Sequence, residues 1–167
     1  MTKQEYKDKL NAILEFFKTS IITPNSNGSE IITRYITSSG LNDEQWLGFL
    51  RDKNNGKTDI WLLTISELKG LGAGQKAVGG SAKRIQLAVD YFSDYRQGTD
   101  ASNSEQDFRD KVFGVDFDLE KNQGLCGLDN VRLIDWIFKL KLKRFVNDTT
   151  HWAIGVINLE LDIHSFN

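Results

Sequence analysis

Four groups of residues in this 167-residue chain have types and spacings that could do chemistry. The first is the glycine-rich stretch from Gly70 to Gly80, in which five of eleven residues are glycine. From Lys69 to Arg84 the chain carries four basic residues and no acidic one. A glycine loop lets backbone N–H groups approach a phosphate, and neighbouring lysines add charge. Lys69, Gly70, Gly72, Gly74, Lys76, Lys83 and Arg84 are therefore the candidate nucleic-acid-binding residues; the alternative is a connector kept solvated by its lysines. The second group is Cys126 with His151, since nucleophilic catalysis needs a thiolate and a base within hydrogen-bond reach. A lone cysteine is more often an ordinary small buried residue. The third is Asp116, Asp118 and Glu120, with Glu160 and Asp162. On strands they would share a face, able to hold Mg²⁺ or Mn²⁺ or simply to meet solvent. The fourth is the basic run Arg132, Lys139, Lys141, Lys143 and Arg144, with Trp136 or Trp152 as stacking groups for nucleic acid. Its alternative is an exposed sheet face paired to acid.

The segment LKGLGAG resembles the hairpin of helix-hairpin-helix DNA-binding motifs at Ile65, Leu68, Gly70, Leu71 and Gly72. That resemblance implies phosphate contact through backbone N–H groups. It departs from the pattern at Ala77, one position late, and at VGGS, which interrupts before the second helix. Gly74 to Ser81 has Walker-type glycine spacing but places Gly80 where the lysine belongs. Asn122 to Gly127 resembles the glutamine-containing approach to the nucleophile of papain-like cysteine peptidases, and His151-Trp152-Ala153 resembles the strand carrying their histidine. The implied Cys–His hydrolase has only 24 residues between the two groups, far fewer than in that family.

Composition narrows these readings. The formal net charge of −2 argues against a bulk polybasic nucleic-acid binder, leaving room for a local patch. Asp100 to Glu120 holds seven acidic and two basic residues, so the chain is bipolar, which favours oriented docking to a charged partner. No run approaches the length of a membrane span, and the N-terminus lacks the apolar core of a signal peptide. One Cys and two His cannot build a zinc site of four cysteines or of two cysteines and two histidines. No metal or cofactor is expected. A single cysteine fits a reducing compartment, so a cytoplasmic setting is expected, with a virus-encoded origin equally compatible.

The positioning elements follow from periodicity. Thr2 to Glu5 has capping-box spacing, and Tyr6, Leu10, Ile13, Leu14 and Phe17 predict a helix over about 3–18. Ile21 to Gly28, with Pro24, predicts a loop. Ser29 to Ser39 suits either helix or strand. Asn42 caps a predicted helix over Asp43 to Arg51. Thr58 or Asp59 caps a further one to Lys69, with a strand over IWLLTI as its alternative. Ser81 caps a predicted helix ending near Gly98, and Ser104 begins a short one.

Beyond Val112 the period changes. Phe113, Val115, Phe117 and Leu119 alternate with polar residues and predict a strand, and Leu128 to Trp136 predicts one or two helical turns. Phe138, Leu140 and Leu142, then Ile157, Leu159, Leu161 and Ile163, predict an antiparallel hairpin with Asn147 to Thr150 as its turn. Its predicted register sets Phe138 across from Leu161, Leu140 from Leu159, Leu142 from Ile157, and Lys139 beside Glu160. The lysine strand would lie centrally between two acidic rows.

These readings combine into one α+β domain over 1–167. Residues 1–98 are mainly helical, with about five helices, packed on a three-stranded antiparallel sheet within 104–167. Phe117, Phe138, Leu140, Leu142, Leu159 and Leu161 would share the core. The expected function is a non-enzymatic binding module contacting nucleic-acid backbone through the basic glycine-rich hairpin. A protein-interaction adaptor, inhibitor or assembly subunit is the alternative, and a Cys126–His151 hydrolase is third.

Overall fold

The structure is a computed structural model that describes residues 2–26, 30–34, 59–71, 82–94, 101–124, 128–145 and 148–162. The predicted helix over Asp43 to Arg51 lies outside them.

The first helix begins as its residues require. The Thr2 hydroxyl accepts the Glu5 N–H at 3.2 Å, and the Glu5 carboxylate accepts the Thr2 N–H, closing the capping box. The hydrogen bond from the Thr2 backbone holds the Glu5 carboxyl below its ordinary pKa. Helix α1 (Lys3–Phe16) does not stop near residue 18. It runs on through a π-helical turn (Phe17–Ile22) into α2 (Thr23–Ser26), so the loop predicted from Ile21 is overturned over Ile21–Ser26. Pro24 explains the widened turn. It has no N–H, and in a regular helix its ring would crowd the carbonyl four residues back. Here the Thr23 N–H and hydroxyl both donate to the Lys18 carbonyl, and the wider π turn relieves that crowding. Ile21 and Ile22 are fully buried in consequence.

Among the described residues the rest is a five-stranded sheet in the order β1-β2-β3-β5-β4, with one long helix between β3 and β4. Strand β1 (Glu30–Arg34) joins β2 (Asp59–Leu71) in parallel. The other four strands are antiparallel: β2 with β3 (Ala82–Asp94), β3 with β5 (Asp148–Asp162), and β5 with β4 (Val131–Phe145). Helix α3 (Ala101–Lys121) makes the crossover. This corrects the expected five helices on three strands: two helical segments, Lys3–Ser26 and α3, lie on one face of the sheet.

For β2 and β3 the cause of the correction is burial on two sides. Trp61 through Ile65 are five consecutive buried residues, so β2 has no alternation to show. In β3, Ile85, Leu87, Val89 and Tyr91 enter the core under the helices, while Phe92 is buried on the second face. Together they imitate a helical stripe, so the helices predicted over 58–69 and 81–98 are strands. The opposite error occurs at Phe113 to Glu120, where the predicted strand is helix. Phe108, Val112, Val115 and Leu119, spaced four, three and four, are buried. Phe113 and Phe117 point outward, and the alternation merely interleaved two helical faces.

Where the second face meets solvent, the reading of strands succeeded. β4 and β5 form the predicted hairpin, but their connection is only residues 146–147, so Phe138 pairs with Gly155 instead of Leu161. Leu140 likewise meets Ala153, Leu142 meets His151, and Lys139 meets Ile154. The helical turns predicted over Leu128 to Trp136 give way to strand from Val131. Among the described residues β4 is an edge strand, so the lysine strand is not the central one, and its partner β5 lies between it and β3. The helix-side core holds Leu159 and Leu161 with Tyr91, Val115 and Ile13; Phe138 packs on its margin, and Phe117 and Leu140 are exposed.

A side-chain hydrogen bond adds to the packing of the two helical segments. The Asn25 amide donates to the Ile21 carbonyl and to the Asp118 carboxylate, each at 2.8 Å. Gly114 makes room for it: a Cβ there would come within 2.9 Å of Asn25 Cγ.

Candidate interaction surface

The β2–β3 register places Lys69 opposite Arg84 on the face away from the helices. Both are exposed and border a cavity of about 150 Å³, with Glu67, Gln86, Asp135 and Asn158 also lining it. A polar ladder crosses its floor. Gln86 Nε2 donates to Asn158 Oδ1 at 3.3 Å, and Asn158 Nδ2 donates to Asp135 Oδ1 at 2.6 Å. Arg84 also pairs in register with Glu160, whose carboxylate lies 3.5 Å from Arg132 Nη2. The cations of this surface are therefore interleaved with Glu67, Asp135 and Glu160.

Lys83 faces the other way. It pairs with Gly70, and its ammonium lies 5.3 Å from the Tyr6 ring centroid on α1. Burial raises the Tyr6 hydroxyl above its ordinary pKa. The candidate cations thus split between two faces, and β3 replaces the helix predicted to follow the glycine loop. Gly72, Gly74 and Lys76 lie outside the described residues.

The remaining groups do not converge. His151 sits on β5 beneath α3, its ring centroid 5.1 Å from Phe108, and Cys126 lies outside the described residues. Asp116 accepts the Trp136 indole N–H at 2.7 Å, Asp118 accepts from Asn25, and Glu120 accepts from Gln123 at 2.7 Å. These three carboxylates lie around a helix, not along one strand face, and none joins Glu160 or Asp162 on β5. Among the described residues no group of three His, Cys, Asp or Glu side chains is placed to hold a metal ion.

Three residues of the basic run share a face with Lys69 and Arg84. Arg132, Lys139 and Lys141 are exposed, and their register partners Glu160, Ile154 and Trp152 place them on the sheet's second face. The expected stacking groups are already engaged. Trp136 is bonded to Asp116. Trp152 stacks on Phe92 at 5.2 Å, donates to Asp90 at 3.0 Å, and has Lys141 6.0 Å from its ring centroid. Asp90 is positioned between Leu62 and Ile154 on the neighbouring strands, and burial raises its carboxyl above the usual range despite the Trp152 hydrogen bond.

Sequence reasoning missed the exposed apolar groups at this edge. Phe113 and Phe117 on α3 are 55% and 58% exposed, and Ile137 and Leu140 on β4 are 54% and 41% exposed. Lys121 lies over the Phe117 ring at 4.3 Å. Asp116, between the two phenylalanines in sequence, ties α3 to β4 through Trp136. The signal was present as phenylalanines four residues apart among acids, but the strand reading turned both inward.

No family model matches the chain, and no curated protein is similar to it in sequence. No described helix is long and apolar enough to cross a membrane.

Proposed function

We propose that this chain is a non-enzymatic protein-binding module whose contact surface is the β4 edge with the adjoining flank of α3. The observation that carries this reading is the joint exposure of Phe113, Phe117, Ile137 and Leu140 beside a strand paired on one side only among the described residues. An open edge offers a row of backbone donors and acceptors to an added strand, and exposed side chains beside it supply apolar contact. The mixed charges of the second face suit recognition of a protein surface better than a uniform polyanion.

Photo-cross-linking tests it. A photoreactive group at Ile137 forms a discrete protein adduct, and the same group at Lys7, on exposed helix α1, does not. Equal, diffuse labelling at both positions would defeat the proposal.

A second reading, contact with nucleic-acid backbone, is favoured by the exposed Lys69–Arg84 pair. Binding to duplex or single-stranded DNA would then weaken steeply with salt and fall in a Lys69→Ala, Arg84→Ala variant without a change in sequence preference. Absent or salt-insensitive binding removes this reading.

A further inference from the structure

We infer that the partner at the β4 edge is a second copy of this chain, with Asp135–Lys141 of the two copies paired antiparallel about a two-fold axis at Phe138. This inference rests on the protein-contact reading above and names its occupant.

The register follows from the side chains. The bulge between Leu133 and Asp135 ends the regular ladder, so the segment open to an added strand, among the described residues, runs from Asp135 onward. A two-fold axis at Phe138 makes the seam isologous, each contact occurring twice. It places Asp135 of one copy across from Lys141 of the other, on the second face. Ile137 then meets Lys139, Trp136 meets Leu140, and Phe138 meets itself.

Competing registers are worse. An axis at Lys139 sets that lysine against its own copy, and an axis at Leu140 sets Lys139 against Lys141. Like charges directly opposite destabilise a ladder, whereas opposite charges support it. An axis at Ile137 pairs Asp135 with Lys139 but shortens the regular segment. Edge lysines ordinarily discourage strand addition. Here Asp135, held by the Asn158 N–H at 2.6 Å, supplies a counter-charge that selects one alignment.

The helix layer supports the same seam. Trp136 and Phe138 are half-buried and Leu140 is exposed, all on the helix side. Phe113 and Phe117 flank the residue that binds Trp136. Pairing two copies brings both sets of apolar side chains to one line and extends the five strands to a continuous sheet across the axis.

Sedimentation of the full chain tests this, with Lys141→Glu, Asp135→Lys and an equimolar mixture of the two variants. The wild type sediments at twice the chain mass. Each single variant places like charges opposite one another and raises the dimer dissociation constant about tenfold or more. The mixture restores association, because one native and one swapped pair then attract. Circular dichroism melting confirms that each variant is folded. The register is read separately in a Cys126→Ser background: Ile137→Cys and Lys139→Cys chains, mixed and oxidised, form a disulfide-linked pair.

A wild-type chain that stays monomeric at its highest soluble concentration overturns the inference. So does a dimer indifferent to both charge substitutions. If the chain is monomeric while Ile137 cross-links to a different protein, the self-pairing falls and the protein-binding reading stands.

Discussion

The two hairpins of this sheet are built from similar material and are placed differently. β2–β3 occupies the middle of the sheet, where Leu62 and Phe92 are buried on the second face as well as Trp61 and Tyr91 on the first. The Trp61 and Tyr91 rings stack at 4.0 Å, and Tyr91 stacks in turn on Phe108 of α3 at 5.3 Å. β5–β4 is buried on the helix side only and, among the described residues, ends in an open strand. The first hairpin is invested in stability; the second keeps apolar side chains, lysines and a row of backbone groups at the surface. The difference is what favours the second hairpin as the proposed contact surface.

The largest expected effect contrasts two aliphatic residues on the same face. Leu62→Ala should cost about 2–5 kcal/mol in chemical denaturation, as a large-to-small change in a packed interior. Ile137→Ala should stay within about 0.5 kcal/mol, as a surface change. Equal costs would mean that the β4 edge is covered in the monomer and would break the comparison.

Gly155 probes how tightly the second hairpin packs on its buried side. A Cβ there would come within 2.7 Å of Phe138 Cδ1, since the Phe138 ring lies over the glycine. Gly155→Ala should therefore destabilise by about 1–3 kcal/mol, the usual cost of overpacking, although alanine is generally easier to order than glycine. A neutral or stabilising result would show that the ring moves freely.

Asp90 adds a pH dependence to the first hairpin. Its folded carboxyl is raised by burial, so the unfolded chain releases the proton first as pH rises. The contribution is fully present below the unfolded value of about 3.9 and is lost as pH climbs through the raised folded value. Asp90→Asn keeps an acceptor for the Trp152 N–H and removes the titration. The variant should gain stability over the wild type in denaturation at neutral pH, and this advantage should vanish in strong acid. A pH-independent difference would rule out Asp90 as the source.

A small effect is also expected at the Arg132–Glu160 pair. Arg132 is exposed, so Arg132→Ala should cost no more than about 1 kcal/mol, and less in high salt. A larger, salt-resistant loss would mark this end of the second face as more enclosed than β4 beyond it.

Legibility from the sequence followed the same division. The β4–β5 hairpin was readable because solvent on one face preserves alternation at Lys139, Lys141 and along Asn158 to Asp162. Its register was not readable, since sequence alone did not show that the connection shrinks to residues 146–147. β2 and β3 were unreadable as strands because burial on both faces erases the period of two. Among the candidate site residues, the basic character of Lys69 and Arg84 was plain. That Lys83 turns to Tyr6, and that Glu67, Asp135 and Glu160 interleave with the rest, depended on strands distant in sequence.

By itself the sequence determined the capped first helix, the existence and sense of the last hairpin, and the bipolar charge. These are local facts, set by capping, periodicity and composition within short windows. Tertiary structure alone decided that β4 is an edge, that the acidic segment is a helix exposing Phe113 and Phe117, and that the basic residues of two distant segments share one face. Those outcomes depend on strand order and on which side of each element loses water. Residues far apart in the chain set both, so no window of sequence contains them.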